Sequence, residues 1–270
     1  MRAILSFALS ALVISNVFAG TAGDPLTTSG VKGGLIVVIG CNDADLIAGL
    51  HASDAYLVHA LDTDQTKVDQ VREAIKAKGH YGKVSAMQLD SEVLPYADNL
   101  VNLIAVANTG CRVSREEIER VLAPRGVLLD LTNQSHPSSR QFTKPVPSDI
   151  DDWTHYLHSP NNHAVAQDTV VAAPAHYQWI GKPRFSRSHD HLSSISAVVS
   201  AKGRVFSIVD EGPISFAAAS PRWKLVARDA FNGIRLWEHG IEKWEYHLRD
   251  FRSGPADIAR RLVAMGDTVY

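Results

Sequence analysis

The sequence predicts an α/β domain with a five-stranded, doubly wound parallel sheet, followed by an all-β segment. From residue 33 to 131, short apolar runs alternate with helical patterns, and such alternation implies parallel strands joined by right-handed crossovers. From residue 151 the hydrophobic period changes to two, and strand-like runs flank the turn signatures Lys202-Gly203 and Phe231-Asn232-Gly233. A chain of 270 residues is long enough for both parts.

Each element of the first part has its own signal. The first and fourth strands are continuous apolar runs, as expected for strands that are covered on both faces. The predicted strands are Leu35–Ile39, Tyr56–Leu61, Val84–Leu89, Leu100–Val106 and Val127–Leu131. The predicted helices are Asp45–His51, Gln65–Lys78 and Arg115–Leu122. Gly79 ends the second helix, and Ser114 with Glu117 forms a capping box at the start of the third.

The second part, residues 151–270, contains two predicted hairpins and a repeat. The predicted strands are Ser196–Ala201, Arg204–Val209, Trp223–Ala230 and Ile234–Glu238. The segment VVSAKGRVF, which begins at Val198, returns as LVAMGDTVY, which begins at Leu262, after 64 residues. This spacing predicts a repeated β unit that is lengthened by loops.

The first residues have the form of a secretory signal. Arg2 is followed by an apolar run, and Val17-Phe18-Ala19 offers a cleavage site. We therefore predict a signal peptide over residues 1–19, linkers at 20–32 and 132–150, and a periplasmic or cell-envelope protein that is not integral to the membrane after cleavage. The alternative is an uncleaved anchor, since an apolar stretch of about seventeen residues is just long enough to span a bilayer.

Composition argues against two classes of site. The net charge of −2 and the scattered charges give no sign of a nucleic-acid partner. Six of the twelve histidines lie between His155 and His191, but a metal needs three or four converging ligands. We predict no metal site, and we expect these histidines either to pack in loops beside Trp153 and Trp179 or to line the channel of a complete propeller.

Three residues follow successive predicted strands at the edge where wound sheets bind ligands. Gly40 permits a tight turn after the first strand. Asp62 ends the second strand, 22 positions later, which suits a carboxylate that accepts hydrogen bonds from ribose hydroxyls. Asp90 ends the third and could accept from an adenine amino group. The alternative is that both are solvated loop carboxylates.

The same region resembles the class I S-adenosylmethionine-dependent methyltransferases. The resemblance runs from Gly33 to Leu131 through "GGLIVVIGCNDADLIAGL", "YLVHALDTD", "LPYADN" and "RVLAPRG", the last of which is similar to the family's "RVLKPGG". It implies that S-adenosylmethionine is the cofactor. Its binding residues would be Gly40 and Cys41 in the turn, Asp62 with Thr63 after the second strand, and Asp90 on the adenine side.

Several departures from the family pattern indicate a weakened or retired cofactor site. Asn42 and Ala44 stand where the family has its second and third glycines, and their side chains occupy space near the methionine end of the ligand. The family's last two strands, an antiparallel pair, are not evident. No acid or base near a methyl acceptor is visible, so the catalytic residues are unknown. S-adenosylmethionine is also cytoplasmic, whereas this chain has an export signal.

The two cysteines give a further hypothesis. In the family's strand order the first and fourth strands are neighbours, about 4.8 Å apart. Cys41 follows the first of these strands and Cys111 the fourth. After export they could form a disulfide across the mouth of the cleft; the alternative is two separate, half-buried thiols.

The second part resembles the repeat of pyrroloquinoline-quinone-type (quinoprotein) β-propellers. In "LVARDAFNGIRLWEH", Asp229, Gly233 and Trp237 match the repeat. The block "DDWTHYLHSPNNHAVAQDTVV" resembles the lead-in to this propeller in exported bacterial proteins that begin with a methyltransferase-like domain. A propeller needs about four to eight blades, so we expect a truncated piece of a longer protein. No quinone is expected in this fragment.

Three functions remain open at this point. The first is S-adenosylmethionine binding by a methyltransferase-like domain that is attached to a propeller and acts on an unknown methyl acceptor. The second is a non-catalytic envelope scaffold that binds a protein partner. The third is a fragment of a quinone-dependent oxidoreductase.

Overall fold

The computed structural model of the chain describes residues 24–108, 110, 112–132, 141–184, 194–215, 219–244 and 259–270. The predicted signal peptide, Cys111 and the histidines at 189 and 191 lie outside these residues. Within the described ranges, no helix combines the length and the apolar character that crossing a bilayer requires.

The first part of the chain forms a six-stranded sheet. Its strands are β1 (Gly34–Ile39), β2 (Tyr56–Asp62), β3 (Val84–Gln88), β4 (Val101–Val106), β5 (Leu122–Asp130) and β6 (Gln141–Thr143). The helices are α1 (Pro25–Ser29), α2 (Ala44–Gly49), α3 (Gln65–Ala77) and α4 (Arg115–Val121). In the order β3-β2-β1-β4-β5-β6, the first five strands are parallel and β6 is antiparallel to β5. The α/β prediction is confirmed.

Two short elements lie in segments that the sequence predicted as linkers. α1 begins after Asp24, whose carboxylate accepts hydrogen bonds from the amides of Leu26 and Thr27. β6 adds a sixth strand to the predicted five and pairs Phe142 with Leu128 of β5. Three residues are too few to show a period of two, so this strand is defined by its partner and not by its own sequence.

The central strand β1 explains why its sequence is apolar throughout. Ile36 and Val38 pack with α2 and α3 on one face of the sheet, and Val37 and Ile39 pack with α4 on the other. All four are at most 1 % exposed. Helices on both faces therefore leave the strand ends as the parts of the sheet that a ligand could reach.

Lys144, in the segment after β6, fastens the end of α4. Its ammonium group donates to the Asn99 side chain at 2.7 Å and to the carbonyls of Glu119 at 2.7 Å and Leu122 at 2.8 Å. A cation in this position satisfies carbonyls that a helix end leaves without a partner.

We expect Lys144→Met to lower the free energy of unfolding by about 2 kcal/mol. Charge-assisted hydrogen bonds are lost, and the carbonyls that accepted them are left without a donor. Urea unfolding of the full chain measures the change. The control is Lys76→Met on the exposed face of α3, where a surface pair with Glu73 and a long contact with the Tyr81 ring are lost and at most about 0.5 kcal/mol is expected. Equal effects of the two substitutions would contradict a capping role.

The second part contains a four-stranded antiparallel sheet. Its strands are β7 (Ile195–Ala201), β8 (Arg204–Asp210), β9 (Trp223–Asp229) and β10 (Arg235–Ile241), in the order β10-β9-β8-β7. A small hairpin follows, formed by β11 (Ala264–Met265) and β12 (Thr268–Val269). The all-β prediction is confirmed for this region, while a propeller stays a prediction. Trp237, one of the residues that match the propeller repeat, is 39 % exposed.

A polar joint connects the two sheets at the start of β4. The Asn102 side chain donates to Asp229 Oδ2 at 2.7 Å, and its oxygen accepts from the amide of Leu35 at 2.8 Å and from the Asn232 side chain at 2.6 Å. Gly34 makes this possible: a Cβ there would lie 1.9 Å from Asn102 Oδ1. Burial raises the pKa of Asp229. The second sheet thus occupies the edge opposite to the candidate ligand site.

Candidate functional site

The turn after β1 is closed by protein atoms. Gly40 has a φ of +117°, and its amide donates to the Leu61 carbonyl at 2.7 Å. The amides of Ala107 and Asn108 both donate to the Ile39 carbonyl. A Cβ on Gly40 would lie 2.6 Å from Asn108 Cβ and 2.8 Å from its nitrogen. A glycine is therefore needed here because the segment that follows β4 packs against it, whereas we predicted that it contacts a ligand.

Asp62 is held by the protein itself. Its side chain accepts from the Cys41 amide at 2.7 Å and from the Asp64 amide at 3.0 Å, and the residue is 1 % exposed. Burial alone would raise its pKa, but the two amides, the Asn108 side chain and the Lys67 charge together hold the pKa below its ordinary value. The carboxylate is ionised and surrounded by donors.

Asn42 connects two elements at the edge of the sheet where the parallel strands end. Its amide group donates to the Ala107 carbonyl at 3.2 Å, and its oxygen accepts from Lys67 Nζ at 2.8 Å. The bridge spans from the end of β4 to α3. The next residue, Asp43, caps α2 by accepting from the amides of Asp45 and Leu46. The turn therefore begins a helix through an aspartate cap, where the resembled family uses glycines.

Thr63 and Asp90 face open space. They line a cavity of about 380 Å³ together with Gln88, Leu89, Ser91, Glu92, Gly110 and Arg112. The Leu89 amide donates to the Asp62 carbonyl at 2.8 Å, so this cavity adjoins the turn. Gly40, Cys41 and Asp62 do not line it. All five predicted binding residues thus lie at the same edge of the sheet. Three of them are packed in the turn, and the other two, Thr63 and Asp90, line the open cavity.

Sequence reasoning missed Asn108 and Lys67, which complete the turn. Asn108 comes two residues after β4, and its oxygen accepts from the Gly110 amide at 2.9 Å. The available signal in the sequence was a polar residue, Asn108, directly after an apolar strand. Cys41 is buried, and its proposed bond to Cys111 lies outside the described residues. Among the residues with coordinates described above, no group of three His, Cys, Asp or Glu side chains could hold a metal ion.

No protein-family model matches the sequence, and no curated protein matches it. Solved structures are similar to part of the chain. One is the cyclase SpnF, at 22% identity over 36% of this chain and 38% of that one, with a TM-score of 0.33. A second, from Methanococcus maripaludis, is described as a putative S-adenosylmethionine-dependent methyltransferase; it is 20% identical over 39% of this chain and 50% of its own, with a TM-score of 0.35.

A third is a SAM-dependent methyltransferase from Aquifex aeolicus, at 23% identity over 39% of this chain and 60% of that one, with a TM-score of 0.32. This chain covers less than two thirds of each of these three structures. The strand order and the helices on both faces make the six-stranded sheet a Rossmann-like arrangement, in which the last strand is antiparallel.

Proposed function

We propose that the wound domain is a non-catalytic scaffold of methyltransferase type, which supports the all-β part and a protein partner in the cell envelope. The observation that carries this proposal is the state of Asp62. A carboxylate that binds a ribose must offer its oxygens to two hydroxyl groups. The oxygens of Asp62 are buried and already accept from the Cys41 and Asp64 amides and from Asn108.

Because Asp62 is only 1 % exposed, a nucleoside could reach its oxygens only if the side chain left this packing and exchanged protein donors for ligand donors. The released Cys41 and Asp64 amides would then lack an acceptor, and an unsatisfied buried donor costs about 1–3 kcal/mol. This cost would be subtracted from the ligand's affinity. It supports a structural role for Asp62, which ties the end of β2 to the turn after β1.

The methionine end of the cofactor meets a second obstacle. Asn42 and Lys67 form a bridge at the rim, next to Ala107. A ligand that followed the family's turn would have to displace both side chains. The joint at Asn102 is direct support for the scaffold, because two hydrogen bonds of this one side chain, to Asp229 and from Asn232, fix the second sheet to the wound sheet.

Calorimetric titration of the full chain with S-adenosylmethionine tests this proposal. We expect no heat of binding at millimolar ligand. The double variant Asn42→Gly, Ala44→Gly restores the family's glycines but leaves Asp62 with its protein donors, so we expect no binding there either. Micromolar binding to the unmodified chain would overturn the scaffold in favour of a methyltransferase. Binding to the double variant alone would show that the side chains of Asn42 and Ala44, and not Asp62, are the obstacle.

A further inference from the structure

A second cavity, of about 430 Å³, lies between the two sheets, away from the candidate cofactor edge. We call it the basic cleft. Lys32 and Arg125 line it from the wound domain, and Lys202 and Arg204 line it from the turn between β7 and β8. Phe231 and the exposed Trp237 add aromatic surface. Pockets of this size with apolar walls and a few charged groups are typical of small-molecule sites.

The charge in the basic cleft is only partly neutralised. Lys202 and Arg204 share Asp267, at 2.7 and 3.1 Å. Within the ranges that the structure describes, no carboxylate lies within ion-pair distance of Lys32 or Arg125. Two cations of the wound domain are therefore available to a ligand.

The one carboxylate that lines the cleft is already engaged. Asp229 accepts from Asn102 Nδ2 at 2.7 Å and from the amides of Phe231 and Asn232 at 2.9 and 3.0 Å. Its oxygens therefore face donors of the joint, and Lys32 and Arg125 gain no partner from it. The cleft remains cationic toward a ligand.

Arg125 also has an unfavourable backbone conformation. Its φ is +68°, in the left-handed region that normally suits glycine. In the sequence, Pro-Arg-Gly stands where the resembled helix stop has Pro-Gly-Gly. Strained residues cluster at binding sites, so the conformational cost at Arg125 supports a binding role for its side chain. The Arg125 amide donates to the Lys144 carbonyl at 2.9 Å, which fixes the strained conformation.

We propose that the basic cleft binds a small organic dianion with an apolar body. Carboxylate or phosphate groups would pair with Arg125 and Lys32, and with the Lys202–Arg204 side, while the body of the ligand packs on Trp237. A guanidinium group binds such oxygens through two parallel hydrogen bonds. This proposal is independent of the scaffold function, because it uses a different edge of the sheet.

Calorimetry of the full chain with terephthalate and with phenyl phosphate tests it, with benzenedimethanol as the neutral control. We expect heat from at least one anion, weaker binding at higher salt, and none from the diol. Stronger binding of terephthalate would assign carboxylates as the ligand groups, and stronger binding of phenyl phosphate would assign a phosphate. No heat from either anion would overturn the proposal.

Arg125→Gly separates binding from folding. This variant relieves the backbone, so its melting temperature should not fall, yet we expect anion binding at least about tenfold weaker, the change that corresponds to losing one strong pair. Lys76→Gln, which removes an exposed cation on α3, should bind as the unmodified chain does. Unchanged affinity in Arg125→Gly would contradict the assigned role of Arg125.

Discussion

Replacing Gly34 with alanine is expected to lower the free energy of unfolding by about 3–4 kcal/mol, since overpacking and backbone strain each cost about 1–3 kcal/mol. The residue has a φ of +104°, and the added Cβ would lie 1.9 Å from Asn102 Oδ1. Asn102 would have to leave its position. It would then lose its contacts with Leu35, Asp229 and Asn232, and Asp229 would keep a buried charge with fewer donors.

Gly79→Ala is the matched control for this experiment. Gly79 also has a positive φ, of +71°, but a Cβ there meets no atom within 4 Å. Only backbone strain remains, so we expect a loss of about 1 kcal/mol. Urea unfolding of both variants measures the difference. If Gly34→Ala proved no worse than Gly79→Ala, the packing of Asn102 against Gly34 would be wrong.

Asp62→Asn is expected to destabilise the protein by about 3 kcal/mol at neutral pH, because hydrogen bonds to a charged group contribute about 1.5–3 kcal/mol. An asparagine oxygen can still accept from one amide. Its NH₂ group would face the other donor, either Cys41 or Asp64, and leave it without an acceptor. Asp64→Asn is the control, because Asp64 is a helix cap where asparagine serves equally well.

The loss in Asp62→Asn should depend on pH in a defined direction. Burial raises the pKa of Asp62, but its hydrogen bonds and the Lys67 charge outweigh burial, so the folded pKa lies below the ordinary value of 3.8. A lowered folded pKa gives stability that is complete above the unfolded pKa and is lost as the pH falls through the folded one. The difference between wild type and variant should thus be largest at neutral pH and shrink below about pH 4. A difference that grows on acidification would contradict the charged state of Asp62.

Most elements of the wound sheet could be predicted because their signals are local. The Ser114 half of the predicted capping box is present, with the Glu117 amide donating to the Ser114 hydroxyl at 3.1 Å, while the Glu117 carboxylate accepts from the Leu94 amide and from Arg120. The "LPYADN" segment, which resembles the methyltransferase sequence pattern, also has a local physical role. Arg120 on α4 donates to Glu117, to Asp98 and to the carbonyls of Leu94 and Tyr96.

The state of the candidate site could not be predicted, because it depends on residues far apart in the chain. Asn42 was identified as a departure from the family, but its contacts with Lys67 and Ala107 join residues 25 and 65 positions away. Asp62 has the right type and spacing for a ribose ligand. Only the three-dimensional arrangement reveals that its oxygens are buried and already accept from neighbouring amides.

The separation of the two halves of the joint has a consequence for synthesis. Asn102 and Asp229 are 127 residues apart. At about 5–20 residues per second, Asp229 leaves the ribosome roughly ten seconds after Asn102. During that interval the Asn102 side chain, at the start of β4 in the newly made wound domain, has no partner from the second sheet. Asn102 therefore gains its partners Asp229 and Asn232 only when the last third of the chain has been made.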